Sequence, residues 1–86
     1  MAKLCVVYDK LADKYTAPLI FENDNCGQRW FETKVIDDVN CADYELYGLG
    51  DYDDKTAKIV LYEQPKLIFK GLSLEKGNFN NVENKE

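Results

Sequence analysis

The sequence predicts an α+β domain in which one helix packs on one face of an antiparallel sheet of four or five strands, in the order ββαββ. Short runs rich in β-branched and aromatic residues occur on both sides of a single stretch with helical spacing. The chain has 86 residues, of which 13% are aromatic, and this is enough for one small hydrophobic core. We therefore expect a single domain over residues 1–74.

The segment before the helix predicts two short strands. Residues 3–8 read Lys-Leu-Cys-Val-Val-Tyr and end at an aspartate, which is typical of a strand. Residues 10–17 are mostly polar and predict a connection, whereas residues 19–21 are apolar and follow a proline that a strand tolerates at its start. Asp24 lies in an Asn-Asp-Asn turn, where its side chain is expected to accept from the first free amides of a helix.

Residues 26–39 predict the helix, because apolar side chains recur there at spacings of three and four. This spacing places Trp30, Phe31 and Val35 on the face that packs against the sheet. Residues 40–43 predict a break before the next strand.

The second half of the chain predicts a β-hairpin and a further edge strand. Residues 44–49 and 58–62 are the two hairpin strands, and the polar residues 50–56 form the turn. Residues 66–70 follow a proline and predict a last edge strand, while residues 75–86 are polar and are expected to form a disordered tail. The core residues expected from the strands are Leu4, Val6, Leu46, Ile59 and Leu61.

The charge balance bears on the class of partner. The chain has 11 Lys and Arg against 16 Asp and Glu, giving a net charge of −5, and neither half is basic. Proteins that bind duplex DNA by bulk electrostatics need clustered cations to neutralise phosphates, and this chain lacks that clustering. A local basic groove remains compatible with the composition.

The residue inventory argues against catalysis and against a metal or cofactor site. Histidine is absent, which removes Ser/His/Asp and Cys/His catalysis together with the commonest metal ligand. The three cysteines form no Cys-x-x-Cys pair, and their odd number does not suit a disulfide framework. No apolar run is long enough to span a membrane. We expect a non-enzymatic protein without cofactor or metal in a reducing cytoplasm.

One pattern points to a binding function, because tyrosines and lysines are interleaved in the second half of the chain. Surfaces that bind single-stranded DNA stack bases on aromatic rings and place cations along the phosphate backbone. The candidate nucleic-acid-binding residues are Tyr47, Lys58, Tyr62, Lys66 and Lys70. The alternative is that these rings belong to the core or to a dimer interface, and the sequence leaves both possibilities open. The small size, the candidate edge strands and the many aromatic residues also predict a homodimer.

Blocks of residues along most of the chain are shared with a known family. They are Val7-Tyr8-Asp9 with Ala12, Tyr15 and Pro18, then Arg29-x-Phe31 with Val35 and Asp37, then residues 43–56 from Asp43-Tyr44-Glu45-Leu46 through Leu49-Gly50-x-Tyr52-Asp53-Asp54-x-Thr56, and finally Pro65. Over residues 3–71 the chain resembles the small nonstructural protein of gokushovirus-type microviruses, which are phages with single-stranded DNA.

This resemblance implies a nonstructural phage protein in the cytoplasm of an infected bacterial host, associated with viral single-stranded-DNA synthesis or DNA binding. It brings no catalytic residues. Two functions therefore compete. One is an accessory protein that binds single-stranded DNA during viral single-stranded-DNA synthesis or packaging. The other is a non-enzymatic protein-interaction module that redirects phage or host replication proteins without binding DNA strongly.

Overall fold

In a computed structural model, residues 1–74 form an open antiparallel sheet with one helix against one face. The strands are β1 (Ala2–Asp9), β2 (Lys14–Tyr15), β3 (Leu19–Phe21), β4 (Tyr44–Asp53) and β5 (Lys58–Lys70), and the helix is α1 (Asp24–Val35). This confirms the α+β fold class. The structure describes residues 1–74, so the tail expected over residues 75–86 lies outside the described part.

The strand order across the sheet is β2-β1-β4-β5, and β3 pairs with the same edge of β1 as β2 does. Thr16 lies between the two short strands, where its backbone amide donates to the Val7 carbonyl at 2.8 Å and its hydroxyl oxygen accepts from the Val7 amide at 3.0 Å. Pro18 cannot donate to a ladder, so the pairing resumes only at Leu19. The prediction of a plain connection over residues 10–17 is therefore wrong, because it contains β2.

The helix begins two residues earlier and ends four residues earlier than the sequence predicts. Asn23, rather than Asp24, is the N-cap, and its side-chain oxygen accepts from the Cys26 amide at 2.8 Å, whereas Asp24 is the first helical residue. At the other end, the Asp38 side chain accepts from the Asn40 amide at 2.8 Å and holds a turn instead of further helix.

The helix packs on the sheet through three positions four residues apart. Gly27, Phe31 and Val35 are its buried residues. Trp30 is partly buried, and the centroid of its ring lies 5.5 Å from that of the Phe21 ring. The predicted inward direction of Trp30, Phe31 and Val35 is thus confirmed.

The main core lies between α1 and the sheet. Its fully buried side chains are those of Phe31, Leu46 and Cys5. The ring of Phe69 packs edge to face on that of Phe31, with the two ring centroids 6.0 Å apart. Cys5 and Val7 belong to this cluster, so they face the helix. Leu4 and Val6 alternate with them and are buried on the other face. Burial of Leu4, Val6 and Leu46 is as predicted.

The hairpin of β4 and β5 departs furthest from the prediction. The predicted strands 58–62 and 66–70 are parts of one 13-residue strand, and β4 continues through Asp53 into the predicted turn. Ile59 and Leu61 were expected in the core, but they are 50% and 64% exposed. The reason is that both side chains lie on the sheet face turned away from α1, because Leu61 pairs with Gly50, which pairs with Leu4, and Ile59 is two residues from Leu61.

Two irregularities in the pairing of β4 with β5 change which face each side chain occupies. Leu46 pairs with Phe69 but Tyr47 pairs with Leu67, so Ile68 is an extra residue on β5. Between the pairs Gly48–Lys66 and Gly50–Leu61, the single residue Leu49 faces residues 62–65. Face alternation counted along the sequence therefore fails twice in this hairpin.

Candidate functional site

Three tyrosines form a cluster on the sheet face that is turned away from α1, which we call the distal face. The ring centroids of Tyr8 and Tyr15 are 4.7 Å apart, and that of Tyr47 lies 6.5 Å and 6.3 Å from them, respectively. Tyr8 and Tyr47 alternate with Val7 and Leu46, which face the helix, and this alternation places the cluster on the distal face.

Strand register explains why these rings meet. Tyr8 pairs with Tyr15 on β2 and with Glu45 on β4, so Tyr47 is its diagonal neighbour across the strands. Such diagonal positions lie within reach of aromatic side chains. The rings remain accessible, since Tyr15 is 54% exposed and the other two are half-buried.

The hydroxyls of the cluster are held by carboxylates. Tyr8 donates to Asp13 Oδ1, and Tyr47 donates to Glu45 Oε1 at 2.8 Å. The hydrogen bond to Asp13 raises the pKa of Tyr8 to about 12, and the hydrogen bond to Glu45 raises the pKa of Tyr47. Both phenols therefore stay neutral at physiological pH, and their rings are fixed in orientation.

Cations lie beside this cluster. Lys10 Nζ is 3.8 Å from Glu45 Oε2 and offsets part of its charge. Lys70 pairs with Glu45 across β4 and β5, which places Lys70 on the distal face as well. The arrangement combines neutral aromatic rings with nearby ammonium groups on an accessible surface, and it can stack planar groups.

Of the five residues predicted as a nucleic-acid site, Tyr47 and Lys70 lie on the distal face, but Tyr62 and Lys66 do not. Lys66 pairs with Gly48, which is two residues from Leu46 and therefore shares its helix-facing side of the sheet. Lys66 Nζ lies 4.3 Å from the centroid of the Tyr62 ring. Lys58 pairs with Asp53 at the tip of the hairpin. The structure thus divides the predicted site between two faces and a hairpin end.

Tyr62 and Lys66 line a shallow pocket on the helix side of the sheet. Its volume is about 290 Å³, and its lining residues are Asp24, Gln28, Gly48, Tyr62, Lys66, Leu67 and Ile68. Lys3 Nζ donates to Tyr62 Oη at 3.4 Å and to Asp51 Oδ1 at 2.7 Å. The hydrogen bond between Lys3 and Asp51 lowers the pKa of Asp51 and raises the pKa of Lys3. This pocket contains one accessible aromatic ring, whereas the tyrosine cluster on the distal face contains three.

Tyr8 and Tyr15 were not among the predicted site residues. Tyr8 ends the first predicted strand, and its alternation with Cys5 and Val7 would have indicated its face once those two were assigned to the helix side. Tyr15 has no such signal, because it belongs to a strand of only two residues.

Further observations concern metals and membranes. Within residues 1–74, no three His, Cys, Asp or Glu side chains are grouped so that they could hold a metal ion. Among the same residues, no helix has the length and apolar character needed to cross a membrane.

No curated protein and no solved structure matches the chain. The family model described as phage ORF5 protein matches residues 2–74. These residues begin with β1 and include every helix and strand that the structure describes. The chain therefore belongs to the phage ORF5 protein family.

Proposed function

We propose that this phage protein is a non-enzymatic accessory protein that binds single-stranded DNA on its distal face. Bases stack on the cluster of Tyr8, Tyr15 and Tyr47, and the phosphate backbone passes Lys10 and Lys70. In the microvirus setting that the sequence resemblance implies, this activity serves viral single-stranded-DNA synthesis or packaging in the host cytoplasm.

The observation that carries the proposal is the set of three contacting rings on an accessible sheet face. Aromatic side chains on the open face of an antiparallel sheet are a recurrent platform for unpaired bases, because every base has a π-face. Duplex DNA hides these faces within its base stack. A preference for single strands therefore follows from the geometry of the cluster.

The acidic composition sets the expected strength of binding. Asp13 and Glu45 lie beside the rings and repel phosphates, and of the two only Glu45 has a cation within ion-pair distance among residues 1–74. Stacking is then the main favourable contribution, and two lysine–phosphate contacts correspond to a slope of about −1.4 in log K against log salt. Binding should therefore be measurable at low salt and should weaken only moderately as salt is added.

Replacement of Tyr15 by Ala should weaken binding of a single-stranded oligonucleotide by about 10-fold or more, since a lost base stack costs ~1–3 kcal/mol. Tyr15 is exposed on a two-residue strand, so its removal leaves the core in place. Fluorescence anisotropy with a labelled oligonucleotide across a salt series measures the affinity, and a duplex of equal length is the comparison.

The matched control is Tyr62→Ala, which removes a tyrosine from the helix side of the same sheet and should change the affinity less than about twofold if the distal face binds, because no stack on that ring is then lost. If Tyr62→Ala or Lys66→Ala weakens binding more than Tyr15→Ala does, DNA binds on the helix side and our placement is wrong.

A second candidate function is supported by the aliphatic side chains that share the distal face. Ile20 pairs directly with Leu4 on β1, and Leu61 is connected to Leu4 through Gly50, which pairs with both. Ile20 and Leu61 therefore lie on the distal face, where they are 50% and 64% exposed. Exposed apolar surface of this kind is typical of protein-binding sites. The corresponding proposal is a module that binds a phage or host replication protein.

The oligonucleotide assay separates the two functions. Absence of binding by the wild-type protein at tens of micromolar in low salt would contradict the first proposal. The second then predicts that Ile20→Asp abolishes capture of a purified phage replication protein while Tyr15→Ala retains it. If both variants retain capture, the distal face is not the docking surface.

A further inference from the structure

The edge of β5 that faces away from β4 is unpaired in the part of the chain that the structure describes. Along it, Ile59, Val60 and Leu61 are each at least half exposed, at 50%, 53% and 64%. An exposed edge with consecutive apolar side chains is a template for pairing with another strand. This feature is separate from the tyrosine cluster, and the inference drawn from it does not depend on DNA binding.

The two halves of this edge differ in how well they are protected. The second half carries Glu63, Pro65 and Lys66 and bulges opposite Leu49, and charges, proline and bulges are the usual means of blocking edge pairing. Residues 59–61 contain none of these. The segment from Lys58 to Tyr62 is thus the part of the edge that can accept a strand.

We propose that the occupant is a second copy of this chain, whose residues 58–62 pair antiparallel with the same residues across a two-fold axis near Val60. The axis stands perpendicular to the sheet, so the two sheets continue into one another. Both distal faces, with their tyrosine clusters, then lie on the same side of the dimer.

Symmetry restricts the register. Directly opposite residues in an antiparallel pair share a face, and a two-fold axis perpendicular to the sheet keeps corresponding faces on one side. Opposed residue numbers must therefore add to an even value. With Val60 opposite its own copy, Ile59 lies opposite Leu61, and every central pair is apolar.

The flanking residues favour this register over its neighbours. Lys58 lies opposite Tyr62 of the second copy, which is a favourable pairing of a cation with an aromatic ring. If the two-fold axis lay at Leu61, Ile59 would lie opposite the charged Glu63 of the second copy. If the axis lay at Ile59, Lys58 would lie opposite Val60. Only the register centred on Val60 matches apolar with apolar residues and a cation with a ring.

The expected dimer is weak, because an edge of five residues buries less than the ~1,200 Å² that marks the lower limit of stable complexes. Sedimentation equilibrium of the full chain should show self-association in the micromolar range. Val60→Lys should weaken it by at least ~10-fold, because two like charges would face each other at the axis. Val39→Lys is the matched control, since Val39 is 92% exposed in a loop and should leave association unchanged.

A cross-linking experiment tests the register itself. In a Cys26→Ser background, which removes the exposed thiol, Val60→Cys places two thiols opposite each other at the axis. Oxidised glutathione should link this variant into a dimer at least ~10-fold faster than it links Lys55→Cys, because Lys55 lies in the turn beyond Lys58, and the two copies of Lys58 would already be ~13 Å apart at ~3.3 Å per residue.

These measurements leave clear ways for the proposal to fail. A chain that stays monomeric at 200 µM, or a dimer that Val60→Lys does not weaken, contradicts pairing through this edge. Equal linking rates for Val60→Cys and Lys55→Cys contradict the register. If Val60→Lys proves to be unfolded by circular dichroism, the cross-linking rates alone decide. Neither result depends on oligonucleotide binding, so failure here is distinguishable from failure of the proposed function.

Discussion

Phe31→Ala should remove a large share of the free energy of unfolding of this protein. Phe31 is fully buried at the centre of the core between α1 and the sheet, where its ring meets that of Phe69. Truncation of a buried Phe to Ala costs about 3–5 kcal/mol, because it removes apolar contacts and leaves a cavity. A domain of this size has a total stability of roughly 4–13 kcal/mol, so the loss is a large share of it.

Urea unfolding followed by circular dichroism measures the effect. The control is Val39→Ala, which removes a side chain that is 92% exposed and should change the free energy of unfolding by less than ~0.5 kcal/mol. A loss below ~1 kcal/mol for Phe31→Ala would mean that this residue is not at the centre of the core.

Gly50→Ala should destabilise the hairpin by about 3 kcal/mol or more, because the added methyl group overpacks a site bounded by backbone. A Cβ at position 50 would clash with the Val60 carbonyl oxygen and lie 2.8 Å from Leu61 Cα. Backbone atoms in a paired strand cannot move aside without breaking the ladder. Glycine is needed here for space, since its φ is not positive.

Gly48→Ala is the matched control in the same strand. A Cβ at position 48 would meet the end of the Ile68 side chain at 3.3 Å, and Tyr62 Cε2 at 3.6 Å, and both groups can shift. We expect the free energy of unfolding to change by less than ~1 kcal/mol, since the clash can be relieved by side-chain adjustment. Comparable losses for the two variants in urea unfolding would contradict the close backbone approach of β4 and β5 at Gly50.

The helix and the first strand could be predicted because local signals agree there with tertiary packing. The spacing of Trp30, Phe31 and Val35 indicated the buried helix face directly. The uninterrupted apolar run Leu4–Val7 is typical of a strand buried on both faces, and this is what the structure has. The N-cap was misplaced by one residue because Asn23 and Asp24 are both good capping residues.

The short strand β2 and the continuity of β5 could not be predicted, because neither is encoded locally. β2 exists through its pairing with the end of β1 and through the hydrogen bonds of Thr16 to Val7. In β5, Pro65 suggested an interruption, but the bulge opposite Leu49 accommodates it within one strand. Ile59 and Leu61 have a buried pattern in sequence, yet they lie on the sheet face turned away from the helix.

The types of residue in the candidate site could be predicted from the sequence, but their positions on the sheet could not. An accessible surface of tyrosines and lysines does occur, but Tyr47 and Tyr62 were assigned to one surface and lie on opposite faces of the sheet. The irregularity between Gly48 and Gly50 in the β4–β5 ladder lies between them, and such irregularities depend on pairing instead of on sequence periodicity. Tyr15 joins the cluster only through the register of β2 with β1.

The most direct test of the proposed DNA-binding face is a titration of protein carrying ¹³C-labelled tyrosine rings with a single-stranded oligonucleotide, followed by NMR. The chain has six tyrosines, so each ring can be assigned by single substitution. We predict that the ring signals of Tyr8, Tyr15 and Tyr47 shift on binding, as stacked bases require, and that those of Tyr62 do not. Larger shifts for Tyr62 than for the cluster, or no shifts at tens of micromolar oligonucleotide in low salt, would contradict it.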